Sequence, residues 1–213
     1  MRYIRLYEEN PNPRQVREVC EVLISGGVII YPTDTVYGFG CDIFQPKAVS
    51  RIAQIKGIRP EKARFSFIVP DLSKLSDFTR PLNNNVFKLM KSCFPGPFTF
   101  ILPANNKVPK ILENKKKTVG IRIPANNIIL EIAKELGHPI LTTSIHDSDK
   151  IIEYTTDPEV IFENFRDKID LMIDGGYGGN TPSTIVDCTG ESPVIIRQGL
   201  GLLDVSTFSR KQV

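Results

Sequence analysis

Apolar residues along the chain fall into short continuous runs alternating with segments of helical spacing. VIIY (28–31), FSFIV (65–69), FTFIL (98–102), TVGIRI (118–123), ILTTS (140–144), LMID (171–174), STIVD (183–187) and VIIR (194–197) have the length and β-branched content of strands. YIRLY (3–7) and residues 36–39 predict two more. Val16, Val19, Cys20, Leu23 and Ile24 recur at helical spacing, behind an Asn12-Pro13 start and ahead of a Gly26-Gly27 stop. Four further helices are predicted: one opened by Pro46 with Ala48, Val49, Ile52 and Ala53 inward, one over 83–92, one from Ile128 to Leu136 before Gly137, and one from Asp157-Pro158 to about Arg166. Strands alternating with helices, with a few adjacent strand pairs, predict an α/β fold: a single three-layer domain over 1–213, its twisted mixed sheet flanked by helices.

Composition narrows the class. With 41% hydrophobic and 24% charged residues the chain is expected to fold rather than stay disordered. No apolar run approaches the roughly 20 residues that cross a bilayer, so no membrane partner is expected. The opening MRYIRLYEENPNPR lacks the apolar core of a signal peptide, and a cytoplasmic location follows as the expectation. Cys20, Cys41, Cys93 and Cys188 show no C-x-x-C spacing and read as reduced core thiols. With His138 and His146 as the only histidines, no metal site built from protein ligands is expected.

The formal net charge of +3 conceals an asymmetry: residues 1–122 are net +10 and residues 123–213 net −7. The excess concentrates in two stretches, Lys47 to Arg64 and Lys107 to Arg122. A basic half of this kind points to a polyanion, either a nucleic acid or a nucleotide polyphosphate, unless it is a solvated mixed surface.

Four segments carry candidate chemistry. In YPTDTVYGFG, a strand delivers Thr33, Asp34, Thr35 and Tyr37 into a turn, where α/β sheets place ligands. Gly38 and Gly40 permit close backbone approach there. An ordinary Pro-Thr-Asp turn, with Asp34 and Thr35 satisfying local amides, would read the same way. Lys56, Arg59, Lys62 and Arg64 crowd a helix C-terminus more densely than capping requires and suit a triphosphate. No P-loop sequence occurs. Arg122 lies between Ile121 and Ile123 on a strand that reads as buried, so its charge needs a partner or ligand. Ser144, Ser183 and Arg197 stand at strand ends, as hydroxyls and a cation of an anion site or as plain backbone partners.

The motifs YPTDTVYGFG, FPGPFTFIL, TVGIRIPANN, LTTS and PSTIVDCTG…VIIRQG, in this order over roughly 13–201, resemble the YrdC-like family, and most of all its YciO-like branch. That family includes threonylcarbamoyl-AMP synthases, nucleotidyltransferases that join L-threonine, bicarbonate and ATP into threonylcarbamoyl-AMP and pyrophosphate for a tRNA modification. The resemblance implies Thr33, Thr35, Tyr37, Arg122 and Ser183 around threonine and the carbamate. It implies Lys56, Arg59, Ser144 and Arg197 around ATP, with Mg²⁺ bound on the phosphates; Lys62 and Arg64 join this set from the cation cluster, and His146 from its place where the family has Asn. Two departures stand out: Lys56-x-x-Arg59 replaces the family's Lys-x-Arg, and Ser144-Ile145-His146 replaces Ser-x-Asn. No residue is expected to act as a covalent nucleophile. Further partners implied are double-stranded RNA or tRNA, and a downstream tRNA-modifying transferase. The alternative function is a double-stranded RNA-binding protein of the same fold without synthase activity.

Overall fold

The computed structural model describes residues 2–59, 63–145 and 156–203. Among them are ten strands: β1 (Arg2–Arg5), β2 (Ile29–Tyr31), β3 (Gly38–Asp42), β4 (Ser66–Ile68), β5 (Phe98–Pro103), β6 (Thr118–Arg122), β7 (Ile140–Ser144), β8 (Leu171–Asp174), β9 (Thr184–Asp187) and β10 (Val194–Arg197). Five α-helices accompany them: α1 (Pro13–Ile24), α2 (Pro46–Ile55), α3 (Asn84–Cys93), α4 (Asn127–Leu136) and α5 (Pro158–Phe165). Local chemistry sets the helix ends. The Asn12 side chain accepts from Arg14 N ahead of Pro13, and Asn126 and Asp157 cap α4 and α5 in the same way. Gly137, at φ 79°, ends α4 in the left-handed conformation.

All ten strands join one twisted sheet in the order β1-β8-β2-β3-β7-β4-β6-β5-β9-β10. β1–β8, β2–β8, β4–β6 and β5–β9 are parallel and the remaining pairs antiparallel. The sheet is therefore mixed, as expected. Its order was not legible in the pattern: LMID is inserted between β1 and β2, whereas STIVD and VIIR form the opposite edge. β3 begins at Gly38 rather than Val36, because the Val36 carbonyl is held in the preceding turn by the Thr33 hydroxyl at 2.7 Å. Two 3₁₀ turns, Leu72–Asp77 and Lys110–Leu112, fall where no apolar period marks them.

Helices cover the two faces unequally. α2, α3 and α5 pack Ile52, Leu89, Met90 and Ile161 against Phe39, Phe67, Phe100, Ile121, Leu141 and Val186, which come from across the sheet. On the other face, α1 and α4 pack Val19, Leu23, Ile129 and Ile132 only against Ile29, Tyr31, Ile68, Ile140, Leu171 and Ile173. Gly120, Thr99, Ile101, Ile185 and Asp187, from β6, β5 and β9, point to that second face and line an open cleft instead. The uncovered half-sheet is where the candidate residues gather.

Candidate active site

β2 and β3 pair antiparallel with Tyr31 opposite Gly38, so residues 32–37 must reverse the chain there. Thr33 directs the reversal. Its hydroxyl donates to the Val36 carbonyl at 2.7 Å and accepts from the Thr35 amide at 3.1 Å. The Thr35 hydroxyl lies 3.0 Å from it. Because the Thr33 proton is already directed to Val36, Thr35 is the donor of that pair. Tyr37 is fully buried. Its hydroxyl donates to the Gly176 carbonyl at 2.7 Å and accepts from the Gly175 amide at 3.1 Å. Burial raises its pKa well above the ordinary phenol value. What approaches Gly40 closely is the Tyr31 ring: a Cβ there would lie 2.7 Å from Tyr31 Cε1.

Arg122 ends β6 on the half-open face and reaches this turn. Its Nη2 donates to Asp34 Oδ1 at 3.0 Å and to the Thr35 hydroxyl at 3.1 Å. Asp34 Oδ2 accepts from the Ala125 amide at 3.0 Å, which fixes the chain between β6 and α4. Arg122 is 8% exposed, and its Nε is buried without a hydrogen-bond partner among the described residues. A guanidinium carries five N–H donors. Nη2 donates to Asp34 and Thr35, so the N–H groups of Nε and Nη1 remain for another acceptor. The charge expected to need a partner has one in Asp34, and donor capacity is left over.

Two residues along β6 from Arg122, Gly120 lies on the floor of a cleft of about 790 Å³, beside Ser66 and Thr99. Exposed Arg59, Arg64, Lys115 and Lys116 are among its lining residues. The lysines ride a tight turn held by Asn114, whose side chain bonds the Thr118 carbonyl at 2.7 Å and amide at 3.1 Å. At the β9 end of the site, Thr99 and Ser183 hydroxyls are 2.9 Å apart, and Arg197 Nη2 donates to the Ser183 carbonyl at 2.8 Å. Lys56, the C-cap of α2, donates from Nζ to the Ser144 carbonyl at 2.8 Å. Ser144 pairs with Gly38, and the Ile145 amide donates to the Tyr37 carbonyl at 3.2 Å, so this end of β7 adjoins the turn. A glycine-rich strap from Gly175 to Gly179 crosses above it. A Cβ on Gly179 would fall 2.1 Å from the Thr35 carbonyl oxygen.

The sequence-derived candidates therefore divide. Thr33, Thr35 and Arg122 form one hydrogen-bonded group. Tyr37 anchors the strap, Lys56 meets Ser144, and Arg197 meets Ser183. Arg59 and Arg64 line the cleft. Lys62 and His146 lie outside the described residues. Asp34 was named in the candidate turn but not among the residues that the resemblance places on a ligand, and Thr99 and the strap were not singled out. Asp34 had a signal, its place in the turn, but its partner stands 88 residues away. Among the described residues no group of three or more His, Cys, Asp or Glu is placed to hold a metal. All four cysteines are buried free thiols. Burial pushes Cys20 up to about 11 and Cys188 to about 12, so neither offers a thiolate at neutral pH. No described helix is long and apolar enough to cross a membrane.

Comparison with known proteins decides the ancestry of this site. The family model Sua5_yciO_yrdC, described as "Telomere recombination", matches residues 21–199. The chain belongs to the Sua5/YciO/YrdC family. The Escherichia coli K12 protein named "Uncharacterized protein YciO" is 38% identical over 208 residues, covering 97% of this chain and 98% of its own. The crystal structure of E. coli YciO superposes with a TM-score of 0.89 at 37% identity over 96% of this chain and 99% of that one. More distant members carry an activity in their names. A threonylcarbamoyl-AMP synthase of Nitrosococcus oceani is 33% identical over 178 residues, 83% of this chain and 94% of its own. Pyrococcus abyssi Sua5, crystallised with L-threonine, has a TM-score of 0.84 at 29% identity, covering 93% of this chain and 58% of that one.

Proposed function

We propose that this Sua5/YciO/YrdC member forms threonylcarbamoyl-AMP from L-threonine, bicarbonate and ATP, releasing pyrophosphate. The observation that carries the reading is Arg122, buried, fixed in one orientation, and left with unmatched N–H donors beside a cleft lined in part by cations. A site of this kind takes oxyanions. Relatives named as threonylcarbamoyl-AMP synthases, and a structural neighbour crystallised with L-threonine, support the choice of reaction.

The chemistry suits such a site. Threonine's amine and bicarbonate condense to a carbamate with loss of water. A carbamate oxygen then attacks the α-phosphorus, the bond to the β-phosphate bridging oxygen breaks, and pyrophosphate leaves. No protein nucleophile is needed; positioning and neutralisation of phosphate charge do the work. Arg59 and Arg64 would supply charge to the phosphates from the cleft lining, with Lys56, Lys62, Ser144, His146 and Arg197 around the nucleotide. Arg122, Thr33, Thr35, Tyr37 and Ser183 would surround the amino acid. Both oxygens of Asp34 are already engaged. Among the described residues no group of three or more His, Cys, Asp or Glu is placed to hold an ion, and Mg²⁺ would enter as the ATP complex.

A second reading, a double-stranded RNA-binding protein of the same fold without synthase activity, is favoured by the exposed Lys115, Lys116 and Lys117 at the hairpin tip. Pyrophosphate release separates the two. The synthase reading expects release from ATP only when L-threonine and bicarbonate are both present. No release, together with steeply salt-dependent binding of duplex RNA, would replace it with the second reading. In the synthase case the adenylate would pass to a tRNA-modifying transferase, and the protein would work in the cytoplasm.

A further inference from the structure

We infer that a second pocket, which shares no lining residue with the cleft, is a binding site for a small aromatic acid. The planar ring would sit among Phe44, Phe78, Pro70 and Pro139, and the carboxylate at Lys74 and Lys107.

The pocket lies where β3 and β4 end and β7 begins, with Asp42 and Ile68 both paired to Ile140. One carboxylate builds its first wall. Asp42 is 3% exposed, and its Oδ1 accepts from the Phe44 amide at 2.8 Å. The Asp42 carbonyl accepts from the Gln45 amide at 3.1 Å, so the chain turns sharply here and leaves Phe44 half in solvent. The same Oδ1 lies 2.8 Å from His138 Nε2. That contact lacks hydrogen-bond alignment, and Nε2 is buried with no hydrogen-bond partner among the described residues. The His138 ring meets Phe44 edge-on, with centroids 5.0 Å apart. A second wall is tied independently. Asn105 Nδ2 reaches the carbonyl oxygens of Ser76, Asp77 and Thr79 at 3.1 to 3.2 Å, and Asn105 Oδ1 accepts from the Lys107 amide at 2.9 Å. Phe78 is held by an edge-to-face contact with Phe67 at 5.6 Å.

Because each wall is fixed by its own contacts, the pocket is preformed, and its volume of about 440 Å³ suits a small molecule. Two aromatic rings and two prolines favour a flat apolar body over a sugar or polyol. Among the lining residues Lys74 and Lys107 outnumber Asp77 by one, so the charge they complement is a single negative one. Lys107 lies 3.7 Å from Asp77, and exposed Asp71 attracts Lys74. Both are contacts in water, weak enough for a ligand carboxylate to replace. A polyphosphate would need more cations than this pocket offers, which separates its ligand class from that of the cleft.

The test titrates phenylacetate into the ¹⁵N-labelled full chain and follows the amide signals by NMR. Saturable shifts are expected at Phe44, Gly137 and Lys107, and none at Gly120 or Thr118 in the cleft. Half-saturation near about 1 mM is expected of a ligand this small. Phenylacetamide, which keeps the ring and loses the charge, is expected to bind about threefold more weakly. That difference should vanish in a Lys74→Ala, Lys107→Ala double variant. Phe44→Ala, a change at a half-exposed ring, is expected to weaken phenylacetate about fivefold or more. The inference is overturned by no saturable shift up to about 20 mM, by shifts confined to the cleft, by an amide that binds as tightly as the acid, or by unchanged affinity in Phe44→Ala. Should Phe44→Ala fail to fold, the lysine double variant, which alters only exposed side chains, decides the question. Pyrophosphate release plays no part in the readout, so neither result bears on the reaction at the cleft.

Discussion

Arg122 and Asp34 are both withdrawn from solvent, with side chains 10% and 8% exposed. A buried ion pair contributes little net stability over an apolar pair of similar volume, but removing one member strands the other. Arg122→Ala is therefore expected to lower unfolding stability by about 3 kcal/mol, since it leaves the Asp34 carboxylate unmatched. Asp34→Ala in the same chain should recover part of that loss, as read by denaturant titration of both single variants and the double. Equal, additive losses would show that the two residues are not coupled. The need of Arg122 for a partner was legible from its place in an apolar strand. The partner was not, because Asp34 lies 88 residues away and a turn aspartate usually bonds its own backbone. Thr33 does behave locally, and Asp34 does not.

At the scale of elements, the strap explains a glycine run that carries no apolar period. Gly175 and Gly176 hold the Tyr37 hydroxyl, and Gly179 passes within backbone contact of Thr35. Gly179→Ala must lift the strap, because its Cβ would meet a carbonyl oxygen at 2.1 Å rather than a yielding side chain. We expect a stability loss of about 1–3 kcal/mol and weakened ligand binding, measured by thermal melting and calorimetric titration. A variant as stable as the parent would show that the strap has room to move. The strands and α-helices themselves were legible, since Val16 to Leu23, Ile128 to Leu136 and the VIIY-type runs follow their periods closely. The 3₁₀ turn Leu72–Asp77 was not: it is held by the Asp71 side chain on Ser73 N, a local capping contact without hydrophobic spacing. Strand order also escaped, because register and neighbour choice depend on contacts between distant segments.

For the whole molecule, the decisive asymmetry is in cover as much as in charge. α1 and α4 shield the β8, β2, β7 and β4 part of one face, and the rest of that face is left open as the cleft. The +10 half supplies Arg59, Arg64, Lys115 and Lys116 to its lining, but the β9 wall, with Asp187, comes from the −7 half. The charge division along the sequence therefore does not follow the boundary of the site. A cleft built this way sets cations around a patch of uncovered sheet whose lining mixes Gly120, Ser66 and Thr99 with apolar Ile101, Val119 and Ile185.

Synthesis of threonylcarbamoyl-AMP is read out by incubating the purified chain with ATP, magnesium, L-threonine and ¹³C-bicarbonate and following the labelled carbon by NMR. The label is expected in a threonine carbamoyl group bonded to AMP, with one pyrophosphate released for each, and no such product is expected from Arg122→Ala. Label remaining in bicarbonate with ATP intact, in a protein shown to be folded, would contradict this synthesis.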